Sequence, residues 1–205
     1  MFVNTVVNFI AISAILYYVL HVQIYVFFHQ GEYMKFFTFL SVLLAPTVSV
    51  AALPYVGLYQ TIDDETNAPK SIVALYEYVD GDDTNIGGRI VALYNADGTI
   101  SETLANPTRI ADKVSGHPHM VGLDIIWNME WDADDNKYED GKIMDPKSGK
   151  VYSSVMWQDA PSVLHVRGKI GPFGRTQNWN TLDAGTLPPE LQNLDTAAWK
   201  PVVHK

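Results

Sequence analysis

From Val121 to Trp131 the chain reads VGLDIIWNMEW, and its side chains change character at almost every step. Val121, Leu123, Ile125, Trp127, Met129 and Trp131 fall on one face, against Gly122, Asp124, Asn128 and Glu130 on the other. A period of two belongs to a strand, whose successive side chains point to opposite faces. This stretch is therefore expected to be a strand with one face buried. The same signature returns in SIVALYEYV (71–79), IGGRIVALY (86–94), KVYSSVMW (150–157), SVLHVRGKI (162–170) and GRTQNWNTL (174–182). In the segment 162–170, Leu164, Val166, Gly168 and Ile170 oppose His165, Arg167 and Lys169. Turn formers such as DGDDTN and NADG separate the runs. Short strands at this spacing predict an all-β fold, a single antiparallel β-barrel or a sandwich. Closure into a barrel removes the free edges that would pair with other chains. With about eight strands the interior is either packed solid or holds one small ligand.

Two stretches break the series. ETLANPTRIADKVSGHPHM (102–120) has two prolines and no steady alternation, so it is expected to be a long connection with room for one helical turn. LPPELQNLDTAAWK (187–200) suits a short helix begun by Pro188 or Pro189. In GKIMDPKSGKVY (141–152) the flanks read as strands and the centre as a turn. Asp145 can accept from the backbone two residues on, Pro146 pre-sets φ, and Gly149 tolerates φ above zero. That segment is expected to be a hairpin whose charge is surface.

The first part of the chain differs from the rest. Residues 1–30 contain no Asp, Glu, Lys or Arg, and Lys35 then precedes FFTFLSVLLAPTVSVAA. A basic start at Met34, an apolar centre and small residues at Ser49, Ala51 and Ala52 make up the three parts of a secretory signal. One expectation is therefore translation from Met34, with 1–33 an apolar extension and 34–52 a signal segment. The other is an N-terminal hydrophobic helix that spans a membrane, since residues 2–28 exceed the roughly 20 apolar residues required. Both expectations export the domain at 53–205 to the periplasm or cell envelope, and any membrane contact is expected only through the N-terminal segment. Setting aside Glu32 and Lys35 leaves 22 acids and 13 bases, still a net charge of −9. That balance argues against nucleic acid and against anionic lipid surfaces, which require clustered Lys and Arg. With no cysteine, disulfides and thiolate metal sites are excluded.

Catalytic and metal motifs are weak. DADDNKYEDGKI (132–143) offers Asp132, Asp134, Asn136 and Asp140 to a calcium loop, yet Lys137 stands where glycine is needed and Ile143 where a bidentate Glu is needed. His117 and His119 would need a third ligand, from His165 or a carboxylate. GKIGPFGR (168–175) is followed by strand residues rather than a helix, so its glycines suit a bend and not a phosphate cradle. No GxSxG surrounds Ser153, Ser154 or Ser162, and nothing unites Asp124, Glu130 and Asp145. No cofactor, metal or catalytic residue is expected. The aromatic supply is richer: Tyr59, Tyr76, Tyr78, Trp127, Trp131, Trp157 and Trp179 lie on different strands. Those facing inward would line a cavity or pack a core.

GLYQTIDD, GRIVAL, GLDIIW, GKIMDPKSGKVY and LHVRGKIGPFGRTQNW occur in an order and spacing that resembles one bacterial exported family, domain-of-unknown-function family 2147. The resemblance covers almost all of 55–180 and implies an exported barrel similar to the lipocalins, with no established activity. Three features depart from it: Tyr59 stands where Trp is common, the early-strand cysteines are missing, and residues 1–33 have no counterpart. Lipocalin-like barrels often cap a first-strand aromatic with an Arg from the last strand. By that likeness Gly57-Leu58-Tyr59 and Arg175 form a structural lid, with a ligand anchor as the other role for Arg175. The expected function is non-catalytic binding of a small apolar or amphipathic ligand, with Tyr59, Tyr76, Trp127, Trp157, Arg175 and Trp179 as the binding residues. The alternative is a structural or interaction module of the envelope with a filled barrel.

Overall fold

The computed structural model describes residues 54–204, so the expectations for 1–33 and 34–52 lie outside the described residues. Nine strands follow one another: β1 (Gly57–Ile62), β2 (Pro69–Asp80), β3 (Asp83–Tyr94), β4 (Ile100–Thr103), β5 (Asp124–Asp132), β6 (Lys137–Asp145), β7 (Lys150–Ala160), β8 (Val163–Ile170) and β9 (Phe173–Leu182). All pairings are antiparallel, in the order β2-β1-β9-β8-β7-β6-β5-β3 with β2 paired again to β3. Eight strands thus close a barrel, and β4 is an extra strand on β3. It pairs with residues 92–94 of β3, whereas β5 pairs with residues 86–89.

Closure gives each strand an inside. Tyr59, Val73, Leu75, Ile86, Ile90, Leu123, Ile125, Met129, Tyr138, Met156, Leu164, Val166 and Trp179 all belong to one buried cluster, so period-two patterning converts directly into a core. Gly87 and Gly88 serve opposite sides of the wall. A Cβ on Gly88 would meet Leu75 and Ile126, whereas one on Gly87 would lie 2.7 Å from the Tyr76 ring.

The alternation predicted for 121–131 holds only in part. Asn128 adopts φ +56°, and its amide and side chain both bond the Tyr78 hydroxyl at 2.8 Å, so the strand is kinked there. The acidic stretch 132–143 is mostly strand: only Ala133–Asn136 form a turn, and β6 starts at Lys137. The connection 104–123 contains no helical turn. Ile110 instead bridges to His119, and buried Ala111, Val114 and Val121 tie the connection to the core. Glu102 anchors its start by accepting from the backbone N–H of Thr108 and Arg109 at 2.8 and 2.9 Å.

After β9 come a 3-10 turn (Ala184–Thr186) and a short helix α1 (Pro189–Gln192), begun by a proline as expected. The chain then runs as a strap across the outer face of β1–β3. Leu191 is buried there with Ile72, Ala74, Val91 and Ala92, and Leu187, Leu194 and Trp199 pack around them. The strap ends on Asp124. This carboxylate sits on the outward face, where the alternation placed it, but is covered instead of wet, its side chain fully buried. It accepts from the Tyr76 hydroxyl (2.7 Å), from Arg89 Nε and Nη2 (2.9 and 2.8 Å) and from the Val202 amide (2.8 Å). Four donors replace the water that a buried carboxylate loses. Burial alone would lower the Arg89 pKa, but the hydrogen bonds and charge of Asp124 outweigh it and raise it further. Arg89 also lies 4.4 Å from the centre of the Trp199 ring.

Asp124→Ala leaves Arg89 largely buried without its partner, and is expected to cost about 3 kcal/mol in urea unfolding and to speed proteolysis within the strap. The Glu102 carboxyl is held below its ordinary 4.5, because the N–H groups of Arg109 and Thr108 outweigh its burial. A depressed carboxylate contributes stability that is complete above its unfolded pKa and lost as pH falls through the folded one. The stability gap between the parent and Glu102→Gln is therefore expected to be widest at neutral pH and to narrow below about pH 4.5.

Candidate functional site

Side-chain size divides the barrel interior into two halves. Towards the end where the chain enters β1, large residues meet. The Tyr55 and Tyr138 rings contact edge to face at 5.6 Å, and Trp131 lies 4.9 Å from Tyr138. The Tyr59 hydroxyl donates to the Tyr55 carbonyl, and the Tyr138 hydroxyl to that of Pro54, each at 2.9 Å. Burial, with a contribution from Tyr55, pushes the Tyr59 phenol up to about 12, and burial raises Tyr138 as well, so both hydroxyls stay neutral donors. Gly141 makes room for this packing: a Cβ there would lie 2.0 Å from the Met129 sulfur. This half is solid.

The other half is hollow. A cavity of about 630 Å³ opens at the end that carries the loops 63–68, 146–149 and 171–172. Its deep wall is apolar, with Ile90, Leu93, Ile125, Ile143, Met144, Tyr152, Val166 and Trp179. Thr61 and Ser71 are the polar exceptions and satisfy each other at 2.7 Å. Met120, from the connection 104–123, completes the rim beside the 146–149 turn. Gly149 packs that turn against the connection. It adopts φ +69°, and a Cβ would lie 2.3 Å from the Lys113 carbonyl oxygen.

Charge gathers at the mouth. The Trp179 indole donates to Gln177 (3.2 Å), Gln177 donates to Asp64 (2.8 Å), and Asp64 pairs with Arg175 at 2.5 Å. This polar line climbs from the wall to the rim. Lys147 meets Asp63 at 3.5 Å. Their loops are not neighbours in the ring, so this pair reaches over the opening. Asp63 is held below its ordinary value by the N–H groups of Thr66 and Glu65, with Lys147 a smaller contributor. The Asp145 side chain accepts from the Lys147 amide (3.0 Å) and from the Ser148 hydroxyl (2.7 Å), which shapes the turn as its sequence predicts. That hairpin nevertheless forms part of the cavity rim, since Asp145, Pro146 and Lys147 all line it.

Of the residues expected to bind a ligand, Trp179 and Arg175 line the cavity. Tyr59 and Trp127 are buried in the core cluster away from the cavity wall. Tyr76 lies on the outer face against Trp199 and Asp124, and Trp157 lies outside as well, stacked on His165 at 5.1 Å. Alternation explains both corrections, because Leu75 and Met156 take the inward positions beside them. The lid expected from Arg175 over Tyr59 does not form. Tyr59 pairs with Thr181, six residues along β9 from Arg175, or about 20 Å of strand. His117 and His119 are exposed, and among the described residues no three His, Asp or Glu come together as for a metal ion.

Sequence reasoning missed Asp63, Asp64, Met120 and Lys147. A signal existed, because in an up-and-down ring the loops fall alternately at the two ends, and counting strands places 63–68, 146–149 and 171–172 together.

Compared with known proteins, the chain is similar to a solved Helicobacter pylori protein described as belonging to the lipocalin family. The two are 19% identical over 64% of this chain and 85% of that one, with a TM-score of 0.46. No curated protein matches the chain. A family model matches residues 57–181, from the first residue of β1 to the penultimate residue of β9. The chain therefore belongs to the bacterial family described as "Uncharacterized protein conserved in bacteria (DUF2147)".

Proposed function

We propose that this protein is an exported, non-catalytic barrel that takes up one small apolar or amphipathic molecule through the open end. The observation that carries this reading is the cavity of about 630 Å³, with an apolar interior and a charged rim. Its size falls within the roughly 300–1,000 Å³ of typical small-molecule sites. Apolar walls supply affinity through displaced water, and the rim sets orientation. An elongated molecule would place its chain along Ile125, Ile143 and Val166 and leave a polar end near Gln177, Arg175 and Lys147. Export rests on the signal-like segment at 34–52, and the non-catalytic role on the absence of a recognisable nucleophile or acid–base motif in the sequence. The filled-barrel alternative finds support only in the packed half around Tyr59, Tyr138 and Met129.

Native mass spectrometry of protein purified from its own host is expected to show an adduct that organic extraction removes. A bare mass, together with no response of an apolar fluorescent probe, would overturn the reading. Ile143→Trp places bulk inside the cavity. It is expected to weaken probe binding at least tenfold in a fluorescence titration while shifting the melting temperature by only a few degrees, since volume enters empty space and displaces little. Retained affinity would remove the cavity from consideration as the binding site.

A further inference from the structure

The net charge of −9 conceals an uneven distribution. Between Gly141 and Thr176 stand six bases, Lys142, Lys147, Lys150, Arg167, Lys169 and Arg175, against two acids, Asp145 and Asp159. The fold gathers part of this excess on one outer surface. Lys142 pairs across to Ser153 and Ser153 to Lys169, so the two lysines stand two strands apart, about 10 Å. Arg167 is the next outward residue along β8 and reaches towards the β8–β9 turn, since a Cβ on Gly174 would lie 2.7 Å from its Nε. Among the described residues no carboxylate pairs with Lys142, Lys150, Arg167 or Lys169. At about 10 Å they stand little more than one Debye length apart at physiological salt, so their joint field is strongest at low ionic strength.

The same hairpin carries the most exposed large apolar side chains among the described residues. Phe173 is 79% and Ile170 64% exposed, and they face each other across the two-residue turn Gly171–Pro172 at the cavity rim. An apolar tip projecting beyond a basic row is suited to a surface that is negative outside and apolar beneath. We propose that the β8–β9 hairpin docks the barrel, mouth first, on an anionic phospholipid bilayer, with Phe173 and Ile170 entering the headgroup region and Arg167, Lys169 and Lys142 meeting the phosphates. Total charge alone argued against such a surface; clustering reverses that inference. Docking in this orientation turns the cavity mouth towards the bilayer, with the rim carboxylates Asp63 and Asp64 paired to Lys147 and Arg175. It requires no ligand, so its failure would leave the uptake reading standing.

The chain contains no cysteine, so Phe173→Cys in the full-length protein gives a single attachment point for a polarity-sensitive dye. Whatever the N-terminal segment does at a vesicle, the dye reports the surroundings of the hairpin itself. Its emission is expected to shift to the blue with phosphatidylglycerol-containing vesicles and to stay unchanged with pure phosphatidylcholine. A dye at Asp82→Cys, in the β2–β3 turn at the closed end, should not respond. Adding Arg167→Gln and Lys169→Gln to the labelled protein should raise the vesicle concentration needed roughly 25-fold, about fivefold per charge. In unlabelled protein Phe173→Ser, at a solvent-exposed site, should weaken the association without altering circular dichroism. The proposal fails if the dye at 173 ignores anionic vesicles, responds equally to both lipids, or responds no more than the dye at 82. A shift caused by polyglutamate and not by vesicles would assign the surface to an acidic protein and overturn it too.

Discussion

The ladder between β1 and β9 gives this molecule an inside. It is short, with Leu58 opposite Leu182, Tyr59 opposite Thr181 and Gln60 opposite Asn180, yet it joins the first strand of the barrel to the last. Without it the strands would form an open, curved sheet with β1 and β9 as two unsatisfied edges, a template for pairing with other chains. With it, alternate residues along most of the eight strands face one common interior. Ring size then fixes how much volume there is to fill, and side-chain size decides where the filling stops.

A second, smaller apolar layer sits outside the ring. The strap covers Ile72, Ala74, Val91 and Ala92 with Leu191 and Trp199, so the β1–β3 wall is buried on both faces. Such a wall has few polar positions left, which accounts for the near-continuous burial of residues 71–76. The strap is held by directional bonds at Asp124 as much as by apolar contact. A fully satisfied carboxylate there fixes one placement of residues 199–202 among many that grease alone would permit.

Much of the ring was legible in the sequence because alternation and turn chemistry are local. The strands around Leu164 and Val166, the turn at 145–149 and the proline-led helix at 189–192 all follow from neighbouring residues. What was not legible depends on partners distant along the chain. Asp124 reads as a surface residue until Tyr76, Arg89 and Val202 converge on it. Tyr76 and Trp157 read as cavity aromatics, and only the register, which gives Leu75 and Met156 the inward positions, turns them out. The division into packed and hollow halves was hidden for the same reason. It depends on Met129 lying over Gly141 from the next strand, a relation no single segment carries. Net charge likewise averaged away the basic surface of β6–β9.

The packed half and the hollow half tolerate change differently. At Gly141 even one methyl group collides with Met129, so that end of the barrel behaves as a fixed die that sets the shape of the ring. At Ile143 a larger or smaller side chain meets open space on one side, and the ring around it is already held by the other end. Descendants of such a chain can therefore reshape what the hollow accepts, residue by residue, while the machinery that makes them fold is left alone.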